Sequence, residues 1–584
     1  MLTFADWLMI LGYFGVLAAV VVFSLRRNRI ESGEDLFLGG RNVGWLAIGA
    51  SIFAANIGSE HLIGLAGSGA VAGLSQSHWE LHAWVIVMMS WVFLPFYYKS
   101  GVSTMPEFLE RRFGSRARWI LSIVSLAAYV LTKISVTVYA GALFFEVMMP
   151  EVQLTVGGVA VSSFWIGAVA TVVLAGVYAS IGGLSAVVYT DLVQTFIILA
   201  GTLSVTAFAL WHLGNSGVAL PGGDIADEIG DGWDVLKATV LKTGSEERFG
   251  LWHSLSHKTF PWLGVVIASA TIGVWYWCTD QFIIQRTLAA KNLTNARRGA
   301  LWGAALKLCP VFLFLVPGML GFALHHNHVL VGGSEFAIPL KTLAGGAAAI
   351  NGDAVFPTLV QRLLPAGFRG LVVAGMIAAL MSSLASLFNS VSTLFTVDVY
   401  QKLKPDTPPR RLVAVGRTTT VVITALGVLW LPIMKAISGG GLYQYIQSVQ
   451  SFLAPPIVAV FVTALFWKRM NLRGATWGLS LGFVLGMAKL AANAIWGGAE
   501  GFAIVQDFYF SGLLLAASFA TVVIASLTAP PPDEANLKGL NFACLDDDFR
   551  RENRASWNWV DVTASCVVIG LVVCAYVYFW NWLD

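Results

Sequence analysis

Ala54-Ala55-Asn56-Ile57-Gly58-Ser59-Glu60-His61 interrupts a long apolar run with a helix-breaking glycine and several polar side chains. A second interruption, Gly273-Val274-Trp275-Tyr276-Trp277-Cys278-Thr279-Asp280-Gln281, lies inside another such run. Runs of about 20 apolar residues, each able to cross a ~30 Å hydrocarbon core, recur along the whole chain. Hydropathy places spans at 5–25, 45–74, 78–98, 119–148, 163–181, 186–212, 262–285, 300–325, 368–400, 412–434, 441–467, 474–496, 507–528 and 557–582. The interruptions fall in the second and seventh spans. Five crossings separate them, so they traverse the bilayer in opposite directions. Discontinuous helices of opposite direction at mid-membrane are the pattern of an inverted repeat.

Composition supports a polytopic membrane protein. Of 584 residues, 57% are hydrophobic and 12% charged, where a soluble domain carries roughly 25% charged residues. A net charge of +3, with the cations dispersed in short loops, gives no footprint for nucleic acid. Five cysteines, four of them in apolar segments, predict no disulfide framework or metal spacing. Arg26, Arg27 and Arg29 follow the first span, and Lys99, Arg111, Arg112, Arg116 and Arg118 the third. The loops after the seventh, ninth and eleventh are also basic and lie on the same side, so that side is cytoplasmic and both termini face out.

An ionisable group costs about 2.5–3.5 kcal/mol or more at the bilayer centre, so it must meet water, a partner or a ligand. Glu60/His61, Glu80, Asp191 and Lys307 are such groups. Glu80 and Lys307 fit a structural ion pair as well as a binding site. Ser382, Ser386, Asn389 and Thr393 form a polar stripe at helical spacing. Small-residue helix packing accounts for that stripe. So does a sodium site, in which hydroxyls and carbonyls freed at the Asn56–Gly58 break surround a hard cation. Tyr276 and Trp277 offer aromatic faces to a sugar ring, with Trp79 and Tyr443 as lids. Among 22 Trp and 36 Phe, however, most aromatics serve core and interface.

The chain resembles the sodium/solute symporter family, and within it the sodium/glucose cotransporters. The resemblance runs from about Asp35 to Asn471, through Gly49–Ser59, Gly64–Ala70, Met105-Pro106-Glu107-Phe108, Gly182–Ala186, Trp275–Gln281, Gln285–Asn292, Leu380–Tyr400, Ile446-Gln447-Ser448 and Phe466–Arg469. It implies an all-α LeuT-type inverted repeat of five plus five helices within about fourteen. Residues 1–42 would form an extra helix and cytoplasmic loop, 43–213 the first repeat, 214–261 an extracellular loop, 262–467 the second repeat, and 468–584 three further helices with a linker. It also implies a substrate site at Asn56, His61, Glu80, Tyr276, Trp277, Lys307 and Gln447, and gates at Leu65, Trp79, Tyr443 and Tyr276. A sodium site would comprise Ala54, Ile57 and Ala379 carbonyls with the Ser382 and Ser383 hydroxyls, and Asp191 would mark the sodium exit.

Two departures narrow these expectations. Gly273 stands where relatives place Asn or Thr near the sugar, and Ala385 where some carry a hydroxyl that holds a second sodium. The expected function is therefore symport of a hexose-type sugar such as glucose or galactose with one Na⁺, by alternating access. Myo-inositol or mannose as solute, or a sugar-gated channel or sensor, are the alternatives. No nucleophile–base constellation suggests an enzyme. Outward loops without an Asn-x-Ser/Thr sequon and a short final linker point to a bacterial inner membrane. The expected partners are the lipid bilayer, the sugar and Na⁺, with the chain a monomer or homodimer.

Overall fold

The computed structural model describes residues 2–27, 30–58, 60–156, 159–221, 223–342, 347–437, 442–496 and 505–583; Arg29 and Ser59 lie outside them. The described residues are dominated by helices, with three short two-stranded hairpins in the connections. Each expected apolar span is helical over most of its described residues. Among the described residues, eleven helices qualify as membrane-crossing on length and apolarity alone. The count of fourteen segments differs for local reasons. Ser163–Gly214 is 52 residues long, roughly 78 Å if straight and more than twice a ~30 Å core. Gly183, at φ 57°, divides it into two spans. The second span is split into Trp45–Asn56 and the turns after it, and the fourth is built of Ser115–Ala128, a wider turn and Ser135–Met148.

Small residues set the register at the centre of the bundle. Trp45–Asn56 packs on Leu293–Leu306. A Cβ on Gly299 would lie 2.6 Å from Ile48, and one on Gly303 3.0 Å from Ile52. This Gly-x-x-x-Gly face lets the two backbones approach, as small residues do between membrane helices. The pairs 48/299 and 52/303 advance together by one turn. One further turn brings Asn56 to Lys307, and the Lys307 Nζ donates to Asn56 Oδ1 at 2.8 Å. Side-chain packing far from the site thus aims two of its polar groups.

Both expected breaks are present. Trp45–Asn56 ends at Ile57, which is extended, and a wide turn resumes at Glu60–Leu65. Trp262–Gly273 runs into a wide turn at Val274–Thr279, and Asp280 is extended before Gln281–Leu288 begins. All five cysteines are free.

Candidate functional site

A cavity lies between the breaks. Its walls hold all seven expected substrate residues: Asn56, His61, Glu80, Tyr276, Trp277, Lys307 and Gln447. Trp79 and Tyr443 line it too, while Leu65 is fully buried and lies outside that lining. Gly64, next to Leu65, is pressed against Tyr443, where a Cβ would come within 2.9 Å of the tyrosine Cβ.

The polar groups form one connected network. Lys307 Nζ donates to Glu80 Oε2 at 2.6 Å as well as to Asn56. Tyr443 donates its hydroxyl to Glu80 Oε1, and His61 Nε2 stands 3.5 Å from the same oxygen. Asn56 Nδ2 donates to the Tyr276 hydroxyl at 3.2 Å. The Glu80–Lys307 ion pair therefore has both roles open in the sequence, pairing internally and facing the cavity. Among the described residues, Gln447 Oε1 is buried without a hydrogen-bond partner, and so is Trp79 Nε1. A buried acceptor left unmade costs about 1–3 kcal/mol, which a bound hydroxyl donor would recover.

His82 also lines the cavity and is absent from the expectations. Its Nε2 is 2.9 Å from Ser269 Oγ. A Cβ on Gly273 would lie 3.1 Å from its ring. The imidazole thus occupies the space vacated by the small residue at 273. Its burial in an apolar span was the signal available in the sequence, the same one that singled out His61.

The serine stripe divides its labour. Ser383 Oγ donates toward the carbonyls of Ala55 at 3.2 Å and Ile57 at 3.3 Å, tying its helix to the first break. Ile57 is an expected sodium ligand. Ala55 takes the neighbouring place to Ala54, which stays in the last helical turn, and Ala379 sits one turn before Ser383 in Phe368–Thr393. Ser382 donates to Asp191 Oδ1 at 2.6 Å, and Ser51 to Asp191 Oδ2 at 2.5 Å. Asp191 is thus joined directly to the stripe and fully buried. Further along, Ser390 and Thr393 hydrogen-bond Gln285 and act in packing.

An ion pair beneath the second break is a further addition. Lys133 bonds Asp280, which also accepts from the Tyr129 hydroxyl and caps Phe282 N at 3.4 Å. The Lys133 Nζ lies 4.6 Å from the Tyr276 ring centroid, a cation–π distance. Lys133 carries the same sequence signal as Lys307, an ammonium within an apolar span. Its partner lies 147 residues away, and nothing local announces it.

A family model described as the sodium:solute symporter family matches residues 36–482. The chain belongs to this family. As a family member it is a sodium-coupled symporter, a multi-pass membrane transporter that carries Na⁺ with a solute. It is 39% identical over 565 residues to a "Sodium/glucose cotransporter 2" of Rattus norvegicus, covering 94% of this chain and 82% of the relative. It is 36% identical over 579 residues to a "Sodium/myo-inositol cotransporter 2" of Sus scrofa, covering 96% and 82%. A solved Na⁺-coupled sialic acid symporter, in a substrate-bound outward-open state, superposes with a TM-score of 0.71 at 19% identity, covering 91% of this chain and 99% of that one. The symporter fold is the all-α, LeuT-type inverted repeat of five plus five helices.

Proposed function

We propose that the carried solute is a hexose-type sugar, moved with one Na⁺ by alternating access. The supporting observation is the convergence of Asn56, Glu80, Lys307 and the unpartnered Gln447 amide oxygen on one cavity walled by Tyr276 and Trp277. A neutral polyol engages such a set by exchanging the internal bonds for bonds to its hydroxyls. A solute missing one hydroxyl leaves a buried group unpaired and is rejected. The aromatic walls meet the apolar C–H face of the ring. Myo-inositol presents similar ring hydroxyls, and relatives of this chain are named for both solutes, so it is the second solute to test.

Sodium is assigned to the first break, at the Ala54, Ile57 and Ala379 carbonyls with Ser382 and Ser383. A cation there ties Trp45–Asn56 to Phe368–Thr393 and stabilises the arrangement in which the sugar cavity is ordered. Sugar binding closes Trp79, Tyr443 and Leu65 on the outer side, and movement of Tyr276 opens the inner side, with Asp191 on the exit route. Ala385 is buried and brings no side-chain oxygen, which supports a single ion. One Na⁺ crossing 100 mV supplies about 2.3 kcal/mol. The distribution of loop cations supports both termini on the extracytoplasmic face of the cell membrane.

Counterflow in proteoliposomes with glucose, galactose, mannose and myo-inositol, each with and without Na⁺, tests this reading. Hexose exchange that depends on Na⁺ is expected, and a panel in which no hexose exchanges overturns the sugar assignment. Gln447→Ala should raise the sugar KM by roughly 5- to 150-fold, the equivalent of the ~1–3 kcal/mol carried by a buried hydrogen-bonding group. Unchanged sugar kinetics in that variant would move the solute elsewhere.

A further inference from the structure

The charges around the two breaks do not cancel. Four carboxylates lie there, Glu60, Glu80, Asp191 and Asp280, against three cations, Lys133, Lys307 and Arg286. Glu80 takes Lys307 and Asp280 takes Lys133. Asp191 reaches Arg286 through the Ser51 hydroxyl, which accepts from Arg286 Nε at 2.9 Å. Glu60 remains. The nearest base to it among the described residues is His61, whose Nδ1 is 3.9 Å from Glu60 Oε1. That nitrogen accepts the Gly58 N–H at 3.4 Å.

The second oxygen of Glu60, Oε2, is buried with no hydrogen-bond partner among the described residues. The side chain is 19% exposed, and it opens on two cavities. One is the substrate cavity. The other is also lined by Lys133, Ser383, Thr137, Tyr276 and Gln450. This inner cavity therefore joins the proposed sodium seat at Ser383 to a carboxylate that shares its facing cation, Lys133, with Asp280. Unpaired charge in a membrane interior is costly. Carboxylate, hydroxyl and amide oxygens suit a hard cation, and the missing positive charge is one.

The geometry points to Glu60 as the carboxylate ligand of a sodium position in this inner cavity, through which the single coupled Na⁺ passes to and from Ser383. This rests on the assignment of sodium to Ser383. The negative charge draws the ion into the bundle, and the ion's arrival neutralises the centre before the sugar site is engaged.

Sodium titration of sugar uptake in proteoliposomes tests it, with Ser383→Ala measured alongside. Glu60→Gln should raise the half-saturating sodium about tenfold or more, a loss of at least ~1.4 kcal/mol. That shift should exceed any change in sugar KM at saturating sodium, and Glu60→Asp, which keeps the charge, should move it less. A Glu60→Gln titration that superimposes on the wild type while Ser383→Ala shifts overturns the Glu60 position alone. If neither variant shifts, the Ser383 seat falls with it. A change confined to sugar KM also overturns the inference, by giving Glu60 to the solute. A second readout needs no variant: carbodiimide labelling of Glu60 in the purified wild-type protein, read by peptide mass spectrometry. Na⁺ should slow labelling several-fold relative to choline, and labelling indifferent to Na⁺ overturns the proposal.

Discussion

At Ile57 the first broken span ends a helix, and the carbonyls of its last turn face the Ser383 hydroxyl. At Asp280 the second broken span begins a helix, and its first amides face a carboxylate already supplied by the chain. The two helix ends have opposite polarity: carbonyl ends attract cations and amide ends attract anions. The carbonyl end is met by a neutral hydroxyl that an ion can replace. The amide end is capped by Asp280, and Asp280 is itself neutralised by Lys133 and held by Tyr129. One break is thus poised for a cation from solution, while the other has its anion built in. With sodium at its proposed seat, the same backbone defect serves coupling in one place and rigid structure in the other.

The largest expected effect comes from breaking the built-in cap. Asp280→Ala leaves Lys133 buried without its carboxylate, and removing one member of a buried pair costs roughly 3–5 kcal/mol. Thermal or denaturant unfolding of the purified protein in detergent measures it. Adding Lys133→Met should recover most of the loss, since an apolar pair of similar volume replaces a buried ion pair at little cost. A loss below ~1 kcal/mol would show that the pair behaves as a solvated one, worth what surface ion pairs are worth.

A smaller and more selective effect is expected at the open break. Ser383→Ala removes one oxygen from the proposed sodium seat and should raise half-saturating sodium by roughly 5- to 150-fold, equivalent to ~1–3 kcal/mol. Folding should be little affected, because the neighbouring bonds of Asp191 to Ser51 and Ser382 stay in place. Sodium-dependent uptake measures it, and an unchanged sodium titration would remove Ser383 from the ion's coordination.

Both breaks were legible in the sequence because glycine and clustered polar side chains inside an apolar run are costly in a bilayer unless they interrupt the helix or meet a partner. His61, Glu80, Lys307, Tyr276 and Trp277 stood out singly, but the seven proposed substrate residues were gathered into one site only through resemblance. Asn56 and Lys307 are 251 positions apart, and a Gly-x-x-x-Gly register that periodicity cannot pair with its partner brings them together. Lys133 was as visible as Lys307, but the role of a buried ammonium depends on its partner, and Asp280 lies within a motif otherwise read for its aromatics. His82 was hidden differently, since the space it fills exists only because residue 273 lacks a side chain. Asp191 was read as lying beyond the sodium site. Its direct bond to Ser382 arises from the packing of Ser163–Gly214 on Phe368–Thr393, a contact no local pattern encodes.

Tyr276 joins the two breaks, and its hydroxyl is the smallest lever on the comparison. Asn56, the last residue of the first half-helix, donates to that hydroxyl, while Lys133 at the second break sits over the ring. The ring also lines both cavities and stands between them. Tyr276→Phe deletes only the link to Asn56 and keeps the ring and its cation–π contact. A neutral hydrogen bond is worth about 0.5–1.5 kcal/mol, so sugar transport should fall by roughly 2- to 12-fold, with sodium affinity unchanged. Uptake kinetics at saturating sodium measure it. If transport is abolished instead, the hydroxyl must contact the solute directly, and the ring's part would be recognition rather than partition. If sodium affinity falls as well, the two breaks communicate through this one bond. The open carbonyl end and the capped amide end would then act as a single unit.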